Sequence, residues 1–184
     1  MCAHYTYNKD EAKLTLREKI EVFGKVPRAH IRPTDLGPVI IPEFESYVCL
    51  DMNWGWRVPW DKSPLINAKS ETITTVKTFS AQLDHRCLLL ADGFYEKSVL
   101  FRQPGDKVFC LAGLWREEEG KRRYVMLTTQ PNATVAPYHN RMPLIVRPEL
   151  CEVWLGDKWQ QVIAEPDHSP LDKFQKQPEL FGNM

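Results

Sequence analysis

From Val39 onward the sequence breaks into short runs of β-branched, aromatic and leucine residues, separated by turn formers. This pattern constrains the fold more than any other feature. The runs span residues 39–41, 47–52, 86–91, 99–102, 108–112, 124–129 and 144–146. Gln103-Pro104-Gly105-Asp106 and Glu117-Glu118-Glu119-Gly120 have lengths that suit hairpins, so the sequence predicts a meander of antiparallel strands. Before this region, residues 8–24 predict a helix. Asn8 and Glu11 make a capping box, Ala12, Leu16, Ile20 and Phe23 share one face, and Gly24 stops it. Residues 70–83 and 148–155 predict short helices, the second opening on Pro148 and Glu149. The last twenty residues, with little periodicity, are expected to wrap the surface or fray.

At 184 residues, the chain has the size of one compact domain spanning 1–184. Area scaling lets such a chain bury about 70% of its unfolded surface, so no metal or disulfide is needed to hold it. Its 24 basic and 24 acidic residues cancel, so any nucleic-acid contact must be a local patch. The longest apolar run, 87–91, falls far short of the ~20 residues of a membrane helix, and no membrane partner is expected. Met1-Cys2-Ala3-His4-Tyr5 has no basic stretch leading into an apolar one, which predicts a cytoplasmic address. Five widely spaced cysteines without a C-x-x-C pair indicate neither a disulfide scaffold nor a zinc cage. No metal or organic cofactor is expected. Cys49, Cys87, Cys110 and Cys151 lie in apolar stretches and read as reduced core residues.

Cys2 differs from the other four. Removal of Met1 would leave a residue with a free α-amine and a thiol, whose reference pKa values lie near 7.7–8.0 and 8.5. Such a 1,2-aminothiol attacks an aldehyde twice, through the amine to a Schiff base and through sulfur to a thiazolidine. Glu96 ends Ala91-Asp92-Gly93-Phe94-Tyr95-Glu96, where apolar company would raise a carboxyl pKa and suit proton exchange near neutrality. A solvent-facing strand-end glutamate is the alternative. His139 sits between Pro137 and Pro143, whose rigidity would aim a titrating imidazole, although a merely satisfied loop histidine fits equally. Asn67 reads either as a substrate-orienting amide or as a helix cap. Lys69 and Arg57 are candidate phosphate contacts. Trp54, Trp56 and Trp60, interleaved with Arg57 and Lys62, have the composition of a single-strand stacking platform, or of core and rim.

Taken in order, Met1-Cys2, Trp54-Gly55-Trp56 with Trp60, Asn67-Ala68-Lys69-Ser70-Glu71-Thr72, the Ala91–Glu96 segment and His139-Asn140-Arg141-Met142-Pro143 resemble the SOS-response-associated peptidase (SRAP) family. Members of that family shield abasic sites in single-stranded DNA. The resemblance implies an α+β fold: a single domain with a curved, mostly antiparallel, barrel-like sheet and flanking helices. It also implies that Cys2, exposed by loss of Met1, bonds covalently to the aldehyde of a ring-opened abasic site as a thiazolidine crosslink. Asn67 would position the amine, Glu96 would manage its proton and His139 would act on the sugar-ring oxygen. Lys69, Arg141 and Trp60 match positions that hold the strand. Ala3 and His4 replace the usual Gly-Arg, and Ala29, His30 and Arg32 replace the commoner Tyr, Asn and Ala. Arg32 can restore the lost positive charge, and His4 and Arg32 join the DNA-contact candidates. Lys69 stands for a common arginine and Lys97 for a frequent tryptophan, the former trading a fork for a point charge.

The resemblance thus points to a monomer acting in the DNA damage response, with single-stranded DNA containing abasic sites as partner, nucleoid-associated when bound. Schiff-base strand scission, an abasic-site lyase activity, would be a lesser outcome. Two other readings use the same residues. Cys2 with His139 as base makes a thiol peptidase that removes its own Met1. Alternatively, the tryptophans and cations form a non-catalytic nucleic-acid binding module in which Cys2 is incidental.

Overall fold

The structure is a computed structural model that describes residues 2–8, 28–105 and 108–175. The helix expected over 8–24 lies outside these residues except for Asn8, the last residue of β1 (Tyr5–Asn8). The remaining strands are β2 (Arg28–Ile31), β3 (Leu36–Glu43), β4 (Ser46–Trp54), β5 (Trp56–Val58), β6 (Asp61–Leu65), β7 (Asn67–Lys69) and β8 (Arg86–Ala91). They continue with β9 (Gly93–Glu96), β10 (Val99–Arg102), β11 (Phe109–Glu118), β12 (Lys121–Thr129), β13 (Met142–Pro143), β14 (Ile145–Val146) and β15 (Asp172–Gln175). Among the described residues, three short helices, α1 (Lys77–Ser80), α2 (Cys151–Leu155) and α3 (Gln160–Ala164), accompany the strands in an α+β fold. Among the described residues no helix is long and apolar enough to cross a membrane.

β3, β4, β12, β11 and β8 close into a five-strand barrel. β3 pairs antiparallel with β4 and β8, and β11 with β8 and β12, while β4 and β12 run parallel. The sheet is thus mostly antiparallel, as expected, with one parallel contact in the ring. A ring of five strands cannot alternate direction all the way round, so one neighbouring pair must be parallel. β8 is buried along its whole length, and β11 and β12 are buried over residues 109–114 and 123–129, consistent with an interior filled by side chains. Cys49, Cys87, Cys110 and Cys151 are buried and form no disulfide, as their apolar neighbourhoods imply.

A second, open sheet has the order β15-β10-β9-β1-β2. It carries both Cys2, which precedes β1, and Glu96, which ends β9. The Glu117–Gly120 turn is the expected hairpin: Glu118 pairs with Lys121, and Glu119 and Gly120 have φ of 50° and 73°. The Gln103–Gly105 turn is not a hairpin, because β10 pairs with β9 and β15, whereas β11 belongs to the barrel. The helix expected over 70–83 is divided into a 3₁₀ turn at Ser70–Thr72 and the single turn α1. The expected 148–155 helix is present as a 3₁₀ turn at Pro148–Leu150 running into α2. Within the terminal segment expected to wrap or fray, β15 joins the edge of the second sheet.

Arg86, buried at the start of β8, ties α2 to the barrel. Its guanidinium donates to the carbonyls of Trp154 (2.9 Å), Gly156 (3.0 Å) and Leu83, and lies 5.6 Å from the Trp159 ring centroid. The Trp154 and Gly156 carbonyls lie at the C-terminus of α2, where a helix leaves acceptors unpaired. Arg86→Met would keep much of the packing but orphan them. It is expected to cost about 2 kcal/mol and to lower Tm by about 4–8 °C, read by thermal circular dichroism.

Candidate functional site

The two sheets meet where β1 begins. Tyr5 pairs with Phe94 and Thr6 with Gly93, and the pairing continues as the Tyr95 N–H donates to the His4 carbonyl at 2.9 Å. This register brings Cys2 alongside Tyr95 and Glu96, with Cys2 Sγ 4.0 Å from the Tyr95 carbonyl. From the barrel side comes Asn67, on β7, which pairs parallel with β12 through Asn67 and Met126. Its side-chain Nδ2 donates to the Cys2 carbonyl at 2.8 Å. Asn67 is therefore neither a helix cap nor free; it fixes the backbone of Cys2.

The approach of the sheets is held by aromatics. Tyr5 Oη and Tyr124 Oη are 2.6 Å apart, Trp54 stacks on Tyr124 at 6.2 Å, and Tyr5 meets Trp54 edge-on at 5.3 Å. Trp54 Nε1 donates to the Ile66 carbonyl at 2.8 Å, immediately before Asn67. Trp54 and Trp56 are completely buried, so they are structural and not a stacking surface. Trp60, between β5 and β6, is 69% exposed and alone of the three presents a face to solvent.

Two polar oxygens in this region are buried without a hydrogen-bond partner: Asn67 Oδ1 and Glu96 Oε1. Buried acceptors of this kind are costly unless a ligand or water satisfies them. Burial pushes the Glu96 carboxyl above its ordinary value, and the His139 charge pulls the other way. Glu96 is thus the hidden carboxylate of the two alternatives. Burial pushes the Cys2 thiol up to about 12, well above the reference thiol value on which the aminothiol reading was built. His139 is half-buried, with Nδ1 3.0 Å from both the backbone N and O of Arg141. Its electrostatic reach to Glu96 joins it to the same constellation.

Arg141, one of the strand-contact candidates, is engaged within the protein. It is buried, its Nη1 and Nη2 each donate to Glu71 at 2.7 Å, and Nη2 also donates to the Thr128 carbonyl at 2.5 Å. A phosphate at Arg141 would have to displace the Glu71 carboxylate. This fork holds the Glu71 carboxyl below the usual range and ties the His139 loop to the end of β12. Lys69, by contrast, is exposed at the end of β7. His4 and Arg32 line a cavity of about 700 Å³ with His30, Tyr95, Glu96 and Lys97. Neither the Glu71–Arg141 fork nor the contact of His4 with His30 and Tyr95 is signalled by sequence spacing. Each joins segments dozens of residues apart. Among the described residues no group of three His, Cys, Asp or Glu side chains could hold a metal ion.

Glu71→Ala would leave the buried Arg141 guanidinium without its carboxylate. The variant is expected to lose about 2 kcal/mol in urea denaturation. Glu71→Ala combined with Arg141→Met should recover part of that loss, because no charge is then left unpaired. A double variant as unstable as the sum of the singles would show that the fork is not a coupled unit.

The chain matches the SOS response associated peptidase (SRAP) family over residues 1–178. It is 32% identical over 192 residues to the abasic site processing protein YoqW of Bacillus subtilis strain 168, covering 91% of this chain and 84% of that relative. It is 28% identical over 167 residues to the abasic site processing protein YedK of Escherichia coli K12, covering 79% and 75%. A crystal structure of a Bordetella bronchiseptica protein superposes with a TM-score of 0.77 at 22% identity, covering 94% of this chain and 98% of that one. That likeness reports the fold, and the match over nearly the whole sequence reports the lineage: the chain belongs to the SRAP family.

Proposed function

We propose that the chain processes abasic sites in single-stranded DNA by forming a thiazolidine crosslink through Cys2 once Met1 has been removed. The observation that carries this reading is the 2.8 Å hydrogen bond from Asn67 Nδ2 to the Cys2 carbonyl. It fixes the reactive residue beside a buried carboxyl, Glu96, whose Oε1 has no partner. The names of the relatives, abasic site processing proteins, support the same substrate.

The chemistry then runs in a defined order. The abasic sugar opens to its C1′ aldehyde, with His139 acting on the ring oxygen. The neutral α-amine of Cys2 adds to C1′, and one water leaves to give a Schiff base. Cys2 Sγ adds to the same carbon, its proton passes to the former imine nitrogen, and the five-membered ring closes with no further loss. A thiol pushed up to about 12 is a poor nucleophile in the resting site, which supports amine attack first. Glu96, with its raised carboxyl, exchanges the protons of both additions. The thiol-peptidase alternative would instead need a thiolate–imidazolium pair, which neither the buried thiol nor the Arg141-bound Nδ1 of His139 favours. Trp60 stacks on a base, Lys69 meets phosphate, and Arg141 positions the His139 loop. Strand scission through the Schiff base is a minor branch when ring closure is slow.

Untagged protein mixed with single-stranded DNA carrying one abasic site should give a band on a denaturing gel that is absent with undamaged DNA and with Cys2→Ala. Glu96→Gln should slow its appearance about 100-fold while leaving DNA binding in place. A protein shown by intact mass to lack Met1, yet giving no such band, would falsify the covalent reading.

A further inference from the structure

His139 stands on the loop between β12 and β13, and a loop residue acts at a fixed place only if the loop is held. This loop is gripped at both ends. Its far end is the Arg141 fork on Glu71 and Thr128, which ties it to the barrel. Its near end is Asn132, only 3% exposed, a buried polar residue to which the proposed chemistry gives no part. The Asn132 amide works in two directions. Oδ1 accepts the backbone N–H groups of Thr134 and Val135 at 3.1 and 3.0 Å, and the Val135 carbonyl accepts those of Tyr138 and His139 at 2.8 and 3.1 Å. Asn132 thus caps the run of turns that ends on His139. Nδ2 reaches the other way and donates to the Ser169 carbonyl at 2.6 Å.

From Ser169 the chain runs on as a strap. The Leu171 N–H donates to Thr134 Oγ1 at 3.3 Å, the Leu171 side chain is buried, and β15 lies along β10. Lys173 of β15 places Nζ 5.8 Å from the centroid of the Tyr138 ring, which meets Phe101 of β10 in a T-shaped contact at 5.4 Å. β10 also pairs with β9 and sets Val99 opposite Glu96. The strap therefore touches the residue before His139 on one side and the hairpin that carries Glu96 on the other. All four residues of β15 are exposed, so the strap adds little apolar burial to the fold and contributes chiefly this connection. Arg141 refers the His139 loop to the barrel that holds Asn67; Asn132 and the strap refer it to the sheet that holds Glu96.

We propose that Asn132 is a positioning residue for His139: through the turn it caps and the strap it grips, it holds the imidazole in register with Glu96 for opening of the abasic sugar. This rests on the reading of His139 as the group that acts on the ring oxygen. Asn132 is buried and acts only through the backbone it fixes. Its loss displaces His139 and slows ring opening, a step that precedes every covalent bond. Capture of an aldehyde that is already open does not pass through that step.

The test separates ring opening from aldehyde capture. One single-stranded oligonucleotide carries a natural abasic site; in a second, an acyclic chain ending in an aldehyde replaces the sugar, so that no ring has to open. Excess untagged protein is mixed with each, and the rate of band formation is read on denaturing gels. The quantity compared is the rate on the natural site divided by the rate on the acyclic aldehyde. His139→Ala sets the reference and should lower this ratio about 100-fold. Asn132→Ala should lower it about 10-fold or more, as misplacement of a reacting group does. Lys173→Met, an exposed change that removes only the contact with Tyr138, should lower it about threefold. A folded Asn132→Ala that slows both probes alike, or neither, while His139→Ala keeps its effect, overturns the positioning role alone. Should circular dichroism show Asn132→Ala unfolded, Lys173→Met decides: a lowered ratio supports the strap and an unchanged one overturns it. An unchanged ratio in His139→Ala overturns the ring-opening reading and the positioning role with it. Wild-type protein that gives no band with either probe overturns the covalent reading as a whole.

Discussion

A closed ring of five strands must contain a parallel neighbour pair, and this parity constraint organises the molecule around β12. The parallel contact falls between β4 and β12, at Asn53 with Arg123 and Trp54 with Tyr124. A parallel neighbour cannot be reached by a tight turn, and the chain comes to β12 from β4 only after laying down β8 and β11. β4 ends at Trp54, the β5–β6 excursion leaves the barrel, and β7 returns to run parallel to the same strand from Asn67 with Met126. β4 and β7 are thus one interrupted strand along β12, and the interruption carries Trp60 outward while the return places Asn67 inward.

The neck of that excursion is closed by backbone bonds. Gly55, at φ 110°, turns the chain away, and its N–H donates to the Tyr124 carbonyl at 2.7 Å. A Cβ there would approach Pro64 to 2.8 Å, so the close crossing of the two arms depends on the missing side chain. The Met126 N–H and Trp54 Nε1 both donate to the Ile66 carbonyl, at 3.0 and 2.8 Å. The residue after this doubly accepted carbonyl is Asn67. Fixing its backbone lets a side-chain amide hold the Cys2 carbonyl in place. Tyr5 then supplies the reciprocal tie from the second sheet, through its hydroxyl to Tyr124.

The strands at 86–91 and 99–102 were legible in sequence because each is a run of four or more β-forming residues, and β8 in the barrel and β10 in the second sheet match them. β7 was not, because Asn67-Ala68-Lys69 has no apolar pattern and becomes a strand only through its pairing with β12. The β9–β10 hairpin was hidden for a different reason. Its two turn residues, Lys97 and Ser98, hold φ of 47° and 67° without the glycine or asparagine that marks such turns. That strained turn sits directly after Glu96, where local cost is tolerable if the geometry serves the site. Of the candidate residues, Cys2, Asn67 and Glu96 lie near one another in the structure. The buried role of Arg141 follows from a glutamate 70 positions away, and no local pattern carries it.

Burial of Cys2 poses an apparent conflict between protection and reactivity. A thiol held near 12 resists oxidation and stray alkylation, because both act on the thiolate. The same burial weakens it as a nucleophile. In the proposed reaction the conflict is resolved by order: the amine captures the aldehyde first, and sulfur then attacks a carbon already tethered two bonds from its own Cα. Intramolecular additions of this kind gain effective concentrations of about 10⁵ M or more, which outweighs a low thiolate fraction. The site therefore has no need of the imidazolium partner that a thiol peptidase requires. Its demands are instead a fixed backbone at Cys2, which Asn67 provides, and a carboxyl able to pass protons in a dry setting, which the burial of Glu96 provides.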